Sequence, residues 1–359
     1  MILLPLTLVQ WAAGWLVLGR LRRCGGGKTV SAISGGELSV IIPARNEETN
    51  LPVLLRSLAT QSIRPAEILV VDDASTDRTA EVARQNGARV IPSRPLPDDW
   101  RGKTWACHQG AQAAAGRWLL FLDADTWFEP EGLAGVLAEF PAAGGALSVA
   151  PWHAVREVHE QFSAFFNLVM LAGTGAFTLL GDRYPLRGLL GQFLLIDRAA
   201  YEQAGGHETV KGRILENFQL AKQLQAAHLP RVCRCGRGVF SFRMYPDGWR
   251  QLVAGWTKGF ASGAGRTPLP ILLLIIFWLA GLIFAPIGLA AAGESLAWLA
   301  VYGLCAAQTG WLLRRVGRFH WSAALFYPLL ILFFFAVFAL AVFRSGRPVS
   351  WKGRVIRAD

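Results

Sequence analysis

Asp123-Ala124-Asp125 directly follows the apolar run Trp118-Leu119-Leu120-Phe121-Leu122. Two carboxylates one residue apart, at the carboxyl end of a buried strand, lie where an open α/β sheet holds its ligand, and they suit a hard divalent ion bridging phosphates. An Asp-x-Asp alone is common. Here a second acidic pair, Asp72-Asp73, ends the run Glu67-Ile68-Leu69-Val70-Val71, and the polar turn Pro43-Ala44-Arg45-Asn46-Glu47 ends Ser39-Val40-Ile41-Ile42. Three strands then deliver polar groups to one sheet edge, which is how a nucleotide pocket is built. Transfer from a nucleotide-activated donor requires recognition of the base, neutralisation of a diphosphate leaving group and deprotonation of the acceptor. Asp72 or Asp73 can accept hydrogen bonds from a nucleobase or ribose. Asp123 and Asp125 can hold Mg²⁺ or Mn²⁺, and Lys103 adds a cation near the phosphates. Each has a plainer rival: Asp73 can cap the following helix, Lys103 can be a solvated surface lysine, and Glu47 and Glu48 can be first-turn acids of a helix.

The elements that must position these groups follow from hydrophobic periodicity. Helical patterns at 50–61, 76–85 and 104–115 alternate with the apolar strands and with a short strand at 89–91, which implies an α/β fold with a mainly parallel, twisted sheet. The apolar stretch 162–180 reads either as a core helix or as an interfacial helix that admits a lipid substrate. A strand at 191–196, a turn at 202–206 and an amphipathic helix at 215–227, with Glu216-Asn217 in its first turn, come next. A Gly-rich, aromatic stretch at 248–265 precedes the apolar C-terminal block.

The chain has 359 residues, 53% of them hydrophobic, and the longest apolar runs lie at its two ends. Residues 2–19 carry no charge and are followed by Arg20, Arg22 and Arg23. With the charges after the apolar core and no small-residue cleavage site, this is the pattern of a retained anchor rather than a secretory signal. Three more candidate segments lie at 271–292, 296–313 and 323–343. The net charge of +11 is uneven: residues 29–249 hold 21 basic against 23 acidic residues, and residues 250–359 hold 11 against 2. A juxtamembrane basic excess fits anionic headgroups and cytoplasmic loops, and it argues against a nucleic-acid partner. Cys24, Cys107, Cys233, Cys235 and Cys305 form no CxxC pair and no disulfide framework, and His153 and His159 read as ordinary polar surface residues.

The expected organisation is an anchor at 1–23, a linker at 24–37, a cytosolic catalytic domain at 38–245, an interfacial segment at 246–267, three transmembrane or re-entrant helices at 268–343 and a basic tail at 344–359. The positive-inside tendency puts the catalytic domain and Arg314, Arg315 and Arg318 on the cytoplasmic side of a multi-pass protein of the cell membrane, and the hairpin Gly293-Glu294-Ser295 outside. A full last span would export the basic tail, so a spanning and a re-entrant last segment both stay open.

The order Ser39-Val-Ile-Ile-Pro-Ala-Arg-Asn-Glu47, Ile68-Leu-Val-Val-Asp-Asp-Ala-Ser-Thr-Asp77 and Phe121-Leu-Asp-Ala-Asp125 resembles the three nucleotide-sugar motifs of the family 2 glycosyltransferases, over about residues 38–245. The resemblance implies a GT-A (nucleotide-diphospho-sugar transferase, Rossmann-like) domain with α-helical transmembrane segments at both ends. It implies that Pro43, Arg45, Glu47 and Asp72 contact the nucleoside with Asp73 and Asp123 beside them, that Lys103 lies near, and that Asp125 is the principal ligand of Mg²⁺ or Mn²⁺. Gly102-Lys-Thr-Trp-Ala-Cys-His108, Met244-Tyr245, Gly255-Trp-Thr-Lys-Gly-Phe-Ala-Ser-Gly-Ala264 and Trp351-Lys-Gly-Arg354 resemble the membrane-bound branch of diaponeurosporenoate and hopanoid-associated glycosyltransferases. That branch implies inverting transfer of glucose from UDP-glucose to a carotenoid carboxylate or another lipid. Gly191 and Gln192 would then line the acceptor side, and Trp256 and Lys258 its membrane entrance, although an aromatic-plus-Lys interfacial anchor explains the last two equally well.

The chain departs from the family at one place: members usually carry Glu-Asp where it has Glu216-Asn217, and Asn takes no proton at neutral pH. Either Glu216 is the base, or the acceptor is an already ionised carboxylate, or the chain is a non-catalytic nucleotide-sugar-binding protein. A processive polysaccharide synthase lacks support because no Gln-x-x-Arg-Trp motif is present. A transporter lacks support because the C-terminal block has almost no intramembrane charge.

Overall fold

The computed structural model of the chain describes residues 3–24, 35–141, 144–181, 184, 188–212, 216–263, 267–292, 295–344, 349–351 and 354–356. Most of the expected linker, residues Gly293-Glu294 of the expected hairpin and much of the basic tail lie outside them. The chain divides into two compact units, one of residues 22–152 with 187–243 and the other of residues 1–21, 153–186 and 244–359.

The first unit is built on strands β1 (Leu38–Ala44), β2 (Glu67–Asp72), β3 (Arg89–Pro92), β4 (Trp118–Leu122), β5 (Thr126–Phe128), β6 (Ala146–Ala150), β7 (Trp152–His153), β8 (Phe193–Asp197), β9 (Arg231–Cys235) and β10 (Phe240–Phe242). Seven of them form one sheet in the order β3-β2-β1-β4-β8-β6-β9. Strands β1 to β4 are mutually parallel, as their apolar runs and intervening helices require, with Ala44 opposite Asp72 and Ile41 opposite Phe121. Strand β8 is antiparallel to both β4 and β6, so the sheet is mixed rather than mainly parallel. The order reverses around β1 and β4, and the strand ends there open a crevice.

Both sheet faces are covered, so β1 and β4 bury nearly every side chain and read as continuous apolar runs rather than alternating ones. Val40, Ile42, Leu120, Leu122, Phe193 and Leu195 meet Leu54 and Leu55 of the helix Leu51–Ala59 in one core. On the opposite face the helix Gly102–Ala113 lies close to β1 because Gly110 has no side chain. A Cβ there would stand 2.4 Å from Ile41 Cγ2 and 3.1 Å from Val71 Cγ2. That close approach brings Lys103, in the helix's first turn, to the strand ends.

The second unit is helical. Leu269–Ala291 and Leu296–Val316 are long and apolar enough to cross a membrane, whereas Leu3–Leu18 and Tyr327–Phe343 are apolar but shorter. At 16 residues, the first helix spans roughly 24 Å at 1.5 Å per residue, short of the ~30 Å hydrocarbon core. The last apolar segment is broken into Trp321–Leu325 and Tyr327–Phe343, because Pro328 supplies no N–H for the carbonyl one turn back and is tolerated only in a helix's first turn. The segment 162–180 divides into a 3₁₀ turn, His159–Ser163, and a mostly buried helix, Ala164–Gly173.

The first helix buries two polar side chains and exposes several aliphatic ones. Thr7 and Gln10 are 0% and 5% exposed, while Leu6, Val9 and Leu16 on the same helix are 40%, 60% and 47% exposed. Gln308 ties the unit together, accepting from Trp278 Nε1 at 2.9 Å and donating to Trp11 O at 3.0 Å.

Candidate active site

The loops leaving β1 and β2 are bonded to each other. Arg45 donates to Asp73 O at 2.6 Å and to Ala74 O at 3.2 Å. Asn46 N donates to Ser75 Oγ, Glu47 N to Thr79 Oγ1 and Glu48 N to Asp77 Oδ2, and Thr76 N returns a bond to Asn46 Oδ1. The tight reversal places Asn46 and Ala74 at φ of 52° and 53°, which Asn tolerates and Ala adopts only under constraint. Asp72 accepts from Ser75 N at 3.2 Å, Asp73 is 4% exposed, and Glu47 Oε2 accepts from Asn50 Nδ2. Asp73 does not cap the next helix. That helix begins at Thr79, and Asp77 accepts the Thr79 N–H. Pro43, Arg45, Glu47, Asp72 and Asp73 thus share one wall at the β1–β2 end.

The Asp-Ala-Asp pair leaves β4 beside this wall. Asp123 N donates to Gln192 O at 3.1 Å and Thr126 Oγ1 to Asp123 O at 2.7 Å, which holds the turn against the segment entering β8. Lys103 Nζ lies 2.5 Å from Asp123 Oδ1 and 3.5 Å from Glu216 Oε1, and donates to Gly191 O at 3.2 Å. Burial works against the lysine charge, but Asp123 and then Glu216 outweigh it and hold the ammonium above the ordinary lysine range. Glu216, 7% exposed, is pushed up by burial and held back by Lys103. Asn217, 6% exposed, donates Nδ2 to Glu216 Oε1 at 3.1 Å.

The surrounding protein, then the charges of Asp123 and Glu47, push the Asp125 carboxyl up to about 7. Because that side chain is open to solvent, the repulsion between the acids is the durable part of the shift. A divalent cation relieves such repulsion, so the donor set fits one. Among the described residues no three acids, histidines or cysteines surround a common point, so the ion would be shared with substrate phosphates, as Mg²⁺ and Mn²⁺ sites commonly are.

Pro43, Lys103, Asp123, Gly191, Glu216 and Asn217 line one recess, together with Cys107, Phe121, Leu122 and His207. Sequence reasoning missed His207 and Cys107. Burial, reinforced by Lys103, lowers His207 to about 3, and burial raises the Cys107 thiol, so both are uncharged. His207 N donates to Tyr201 Oη at 3.0 Å, and the Tyr201 hydroxyl lies 2.9 Å from His207 Nδ1. The neutral ring and the hydroxyl thus share one bond, whose direction is set by the imidazole tautomer. Gly205-Gly206 before His207 is the local signal, with both residues at positive φ.

Trp256 and Lys258 belong to the helical unit. Trp256, 3% exposed, donates Nε1 to Ser163 Oγ and stacks on Phe166 at 4.7 Å.

Residues 39–203 match the family described as Glycosyl transferase family 2. The chain is 34% identical over 367 residues to the 4,4'-diaponeurosporenoate glycosyltransferase of Staphylococcus aureus strain MRSA252, covering 98% of this chain and 96% of that protein. The protein of the same name from strain N315 is 35% identical over 328 residues, covering 88% and 87%. The fold is also that of the mannosyltransferase PcManGT from Pyrobaculum calidifontis, solved in complex with GDP-Man and Mn²⁺, at a TM-score of 0.55 and 18% identity over 95% of this chain and 98% of that one. A family match centred on the parallel strands, joined to near-full-length relatives that include the helical unit, makes this chain a member of glycosyl transferase family 2 and an enzyme of glycosyl transfer.

Proposed function

We propose that the enzyme transfers glucose from UDP-glucose to the carboxylate of a carotenoid acid of the diaponeurosporenoate type, with inversion, giving a glycosyl ester. The observation that carries this reading is the engagement of the acids at the recess: Asp123 and Glu216 both face Lys103. Neither is disengaged to take a proton, and an acceptor that arrives ionised needs none removed. The names of the relatives supply the class of acid.

In the reaction a carboxylate oxygen bonds to the sugar C1 as the C1–O bond to the β-phosphate breaks, and the electron pair leaves with UDP. The wall of Pro43, Arg45, Glu47, Asp72 and Asp73 holds the nucleoside. Lys103 holds Asp123 in place and offsets charge near the diphosphate. Asp125, with Asp123, would hold Mn²⁺ or Mg²⁺, which supplies Lewis-acid neutralisation of the leaving group.

Two helices long and apolar enough to cross a membrane, with Arg20, Arg22, Arg23, Arg314, Arg315 and Arg318 near the ends of apolar helices, support a multi-pass membrane protein whose catalytic unit faces the cytoplasm, where UDP-glucose is made, with the apolar acceptor dissolved in the bilayer.

The test is incubation of the detergent-purified chain with radiolabelled UDP-glucose, Mn²⁺ and diaponeurosporenoic acid, with Asp125→Ala as control. An alkali-labile glucosyl ester that vanishes in the variant is expected. Metal-dependent UDP-glucose binding without ester formation would reject the acceptor and leave the donor reading standing.

A further inference from the structure

Arg45 is pointed at the protein's own backbone. Its Nη1 donates to Asp73 O at 2.6 Å and to Ala74 O at 3.2 Å. A terminal guanidinium nitrogen carries two N–H groups, so both are committed to the turn that leaves β2. That turn is one its sequence disfavours. Ala74 stands at φ 53°, where an L side chain crowds its own backbone and glycine does not. The Ala74 methyl is exposed, so no packing of that side chain holds it there. Each carbonyl that Arg45 takes belongs to a planar trans peptide whose N–H points the opposite way. The N–H paired with Asp73 O is that of Ala74, which donates to Asp72 O at 2.9 Å, and the N–H paired with Ala74 O is that of Ser75, which donates to Asp72 Oδ1 at 3.2 Å. Arg45 and Asp72 thus hold the two ends of the same two peptide units.

We propose that Arg45 is a positioning residue for the donor: it fixes the left-handed turn by its two carbonyls, and through the N–H at the far end of each peptide it aims the Asp72 carboxylate at the nucleoside. This role rests on the nucleotide-donor reading above, and it makes Arg45 the brace behind a ligand contact rather than the contact itself. Without the guanidinium, Ala74 relaxes to negative φ, the peptide between Ala74 and Ser75 turns over, and Asp72 Oδ1 loses its N–H. A glycine in that place has no bias against positive φ, and the turn persists unbraced. Arg45 and Ala74 are therefore coupled: the arginine is required because the residue at the turn carries a Cβ.

The experiment titrates the full chain in detergent with UDP, and in parallel with GDP, in the presence of Mn²⁺. Wild type, Arg45→Met, Ala74→Gly and the double variant are compared, each with its melting temperature. Arg45→Met is expected to weaken UDP binding about tenfold in the wild-type background. Ala74→Gly alone, and Arg45→Met added to Ala74→Gly, are each expected to weaken it by no more than about threefold, the non-additivity of two residues acting through one turn. An equal loss from Arg45→Met in both backgrounds overturns the inference and returns Arg45 to direct contact with the nucleotide. A lower melting temperature in Arg45→Met with unchanged UDP affinity overturns it too, because a merely structural arginine behaves that way. If Arg45→Met does not fold, Arg45→Lys, which keeps the charge without the two-pronged nitrogen, is compared across the same two backgrounds by the same criterion. A wild type that binds GDP and not UDP overturns the donor reading alone, and the four GDP affinities then decide the brace. A wild type that binds neither overturns both.

Discussion

Lys103 Nζ and Asp123 Oδ1 are 2.5 Å apart, and the two side chains are 31% and 26% exposed. The first acid of the Asp-Ala-Asp pair is thus matched by a cation from the neighbouring helix, and Asp125 is left as the acid most open to a metal ion. Lys103→Met removes the cation and keeps most of the stem. It should cost about 1–3 kcal/mol of stability, reduced from the buried-pair range because the pair is partly solvated. Turnover should fall at least about 100-fold, read as kcat at saturating UDP-glucose beside a denaturant titration.

Asp125 gives a pH signature. Repulsion from Asp123 and Glu47 raises its carboxyl in the folded protein above the roughly 3.9 of the unfolded chain. The protonated form therefore favours the fold, and that contribution is full below about pH 4 and lost as pH rises through the raised value. In metal-free protein, Asp125→Asn should raise the melting temperature at pH 8 and leave it unchanged at pH 4. Metal-dependent UDP binding should fall at least about tenfold in the same variant. Calorimetry at the two pH values with a UDP titration checks both halves.

The bonded loops give a stability test outside the reacting groups. Burial alone would raise the Asp77 carboxyl, but bonds from the Thr79 hydroxyl and from the Glu48 and Thr79 N–H groups outweigh it and hold it below the usual range. Its contribution is present above roughly pH 3.9 and lost as pH falls through the depressed value. Asp77→Ala should cost about 1–2 kcal/mol at pH 7 and weaken UDP binding. The stability gap to wild type should narrow near pH 3.

Gln308 makes a prediction for the helical unit. Gln308→Leu keeps the volume but strands Trp278 Nε1, which donates to the Gln308 amide, and removes the amide's bond to Trp11 O. A loss of about 1–2 kcal/mol is expected, seen as a lower unfolding midpoint in detergent. Leu332→Gln, at a position 64% exposed on the apolar outer face, should leave the midpoint in detergent unchanged and impair insertion into bilayers.

How far the sequence carries is plain from particular residues. Strand β4, Trp118–Leu122, is legible to its ends, because an uninterrupted apolar run closed by acids has one economical reading. The helix starting at Glu216 is legible from its amphipathic spacing. The insertion of β8 between β4 and β6 is not, since antiparallel and parallel partners look alike in a fully buried strand. His207 escapes for a similar reason: its place at the recess depends on a bond to Tyr201, and no spacing rule announces a neutral buried imidazole. The Gln308 bridge joins two consecutive helices to the first helix of the chain, and only packing reveals it. The break at Phe326, by contrast, is signalled by Pro328 in the chain itself.

The mutual bonding of the β1 and β2 loops bears on the order of events in a catalytic cycle. A nucleoside wall held by its own hydrogen bonds needs little ordering by a ligand, so little of the donor's binding energy is spent on loop entropy. The donor can then bind to the free enzyme with nearly the affinity it has during turnover, and a two-substrate analysis should show an ordered sequence with UDP-glucose first. Product UDP would leave a rigid surface rather than wait for a loop to open, so solvent viscosity should slow the enzyme little through that step.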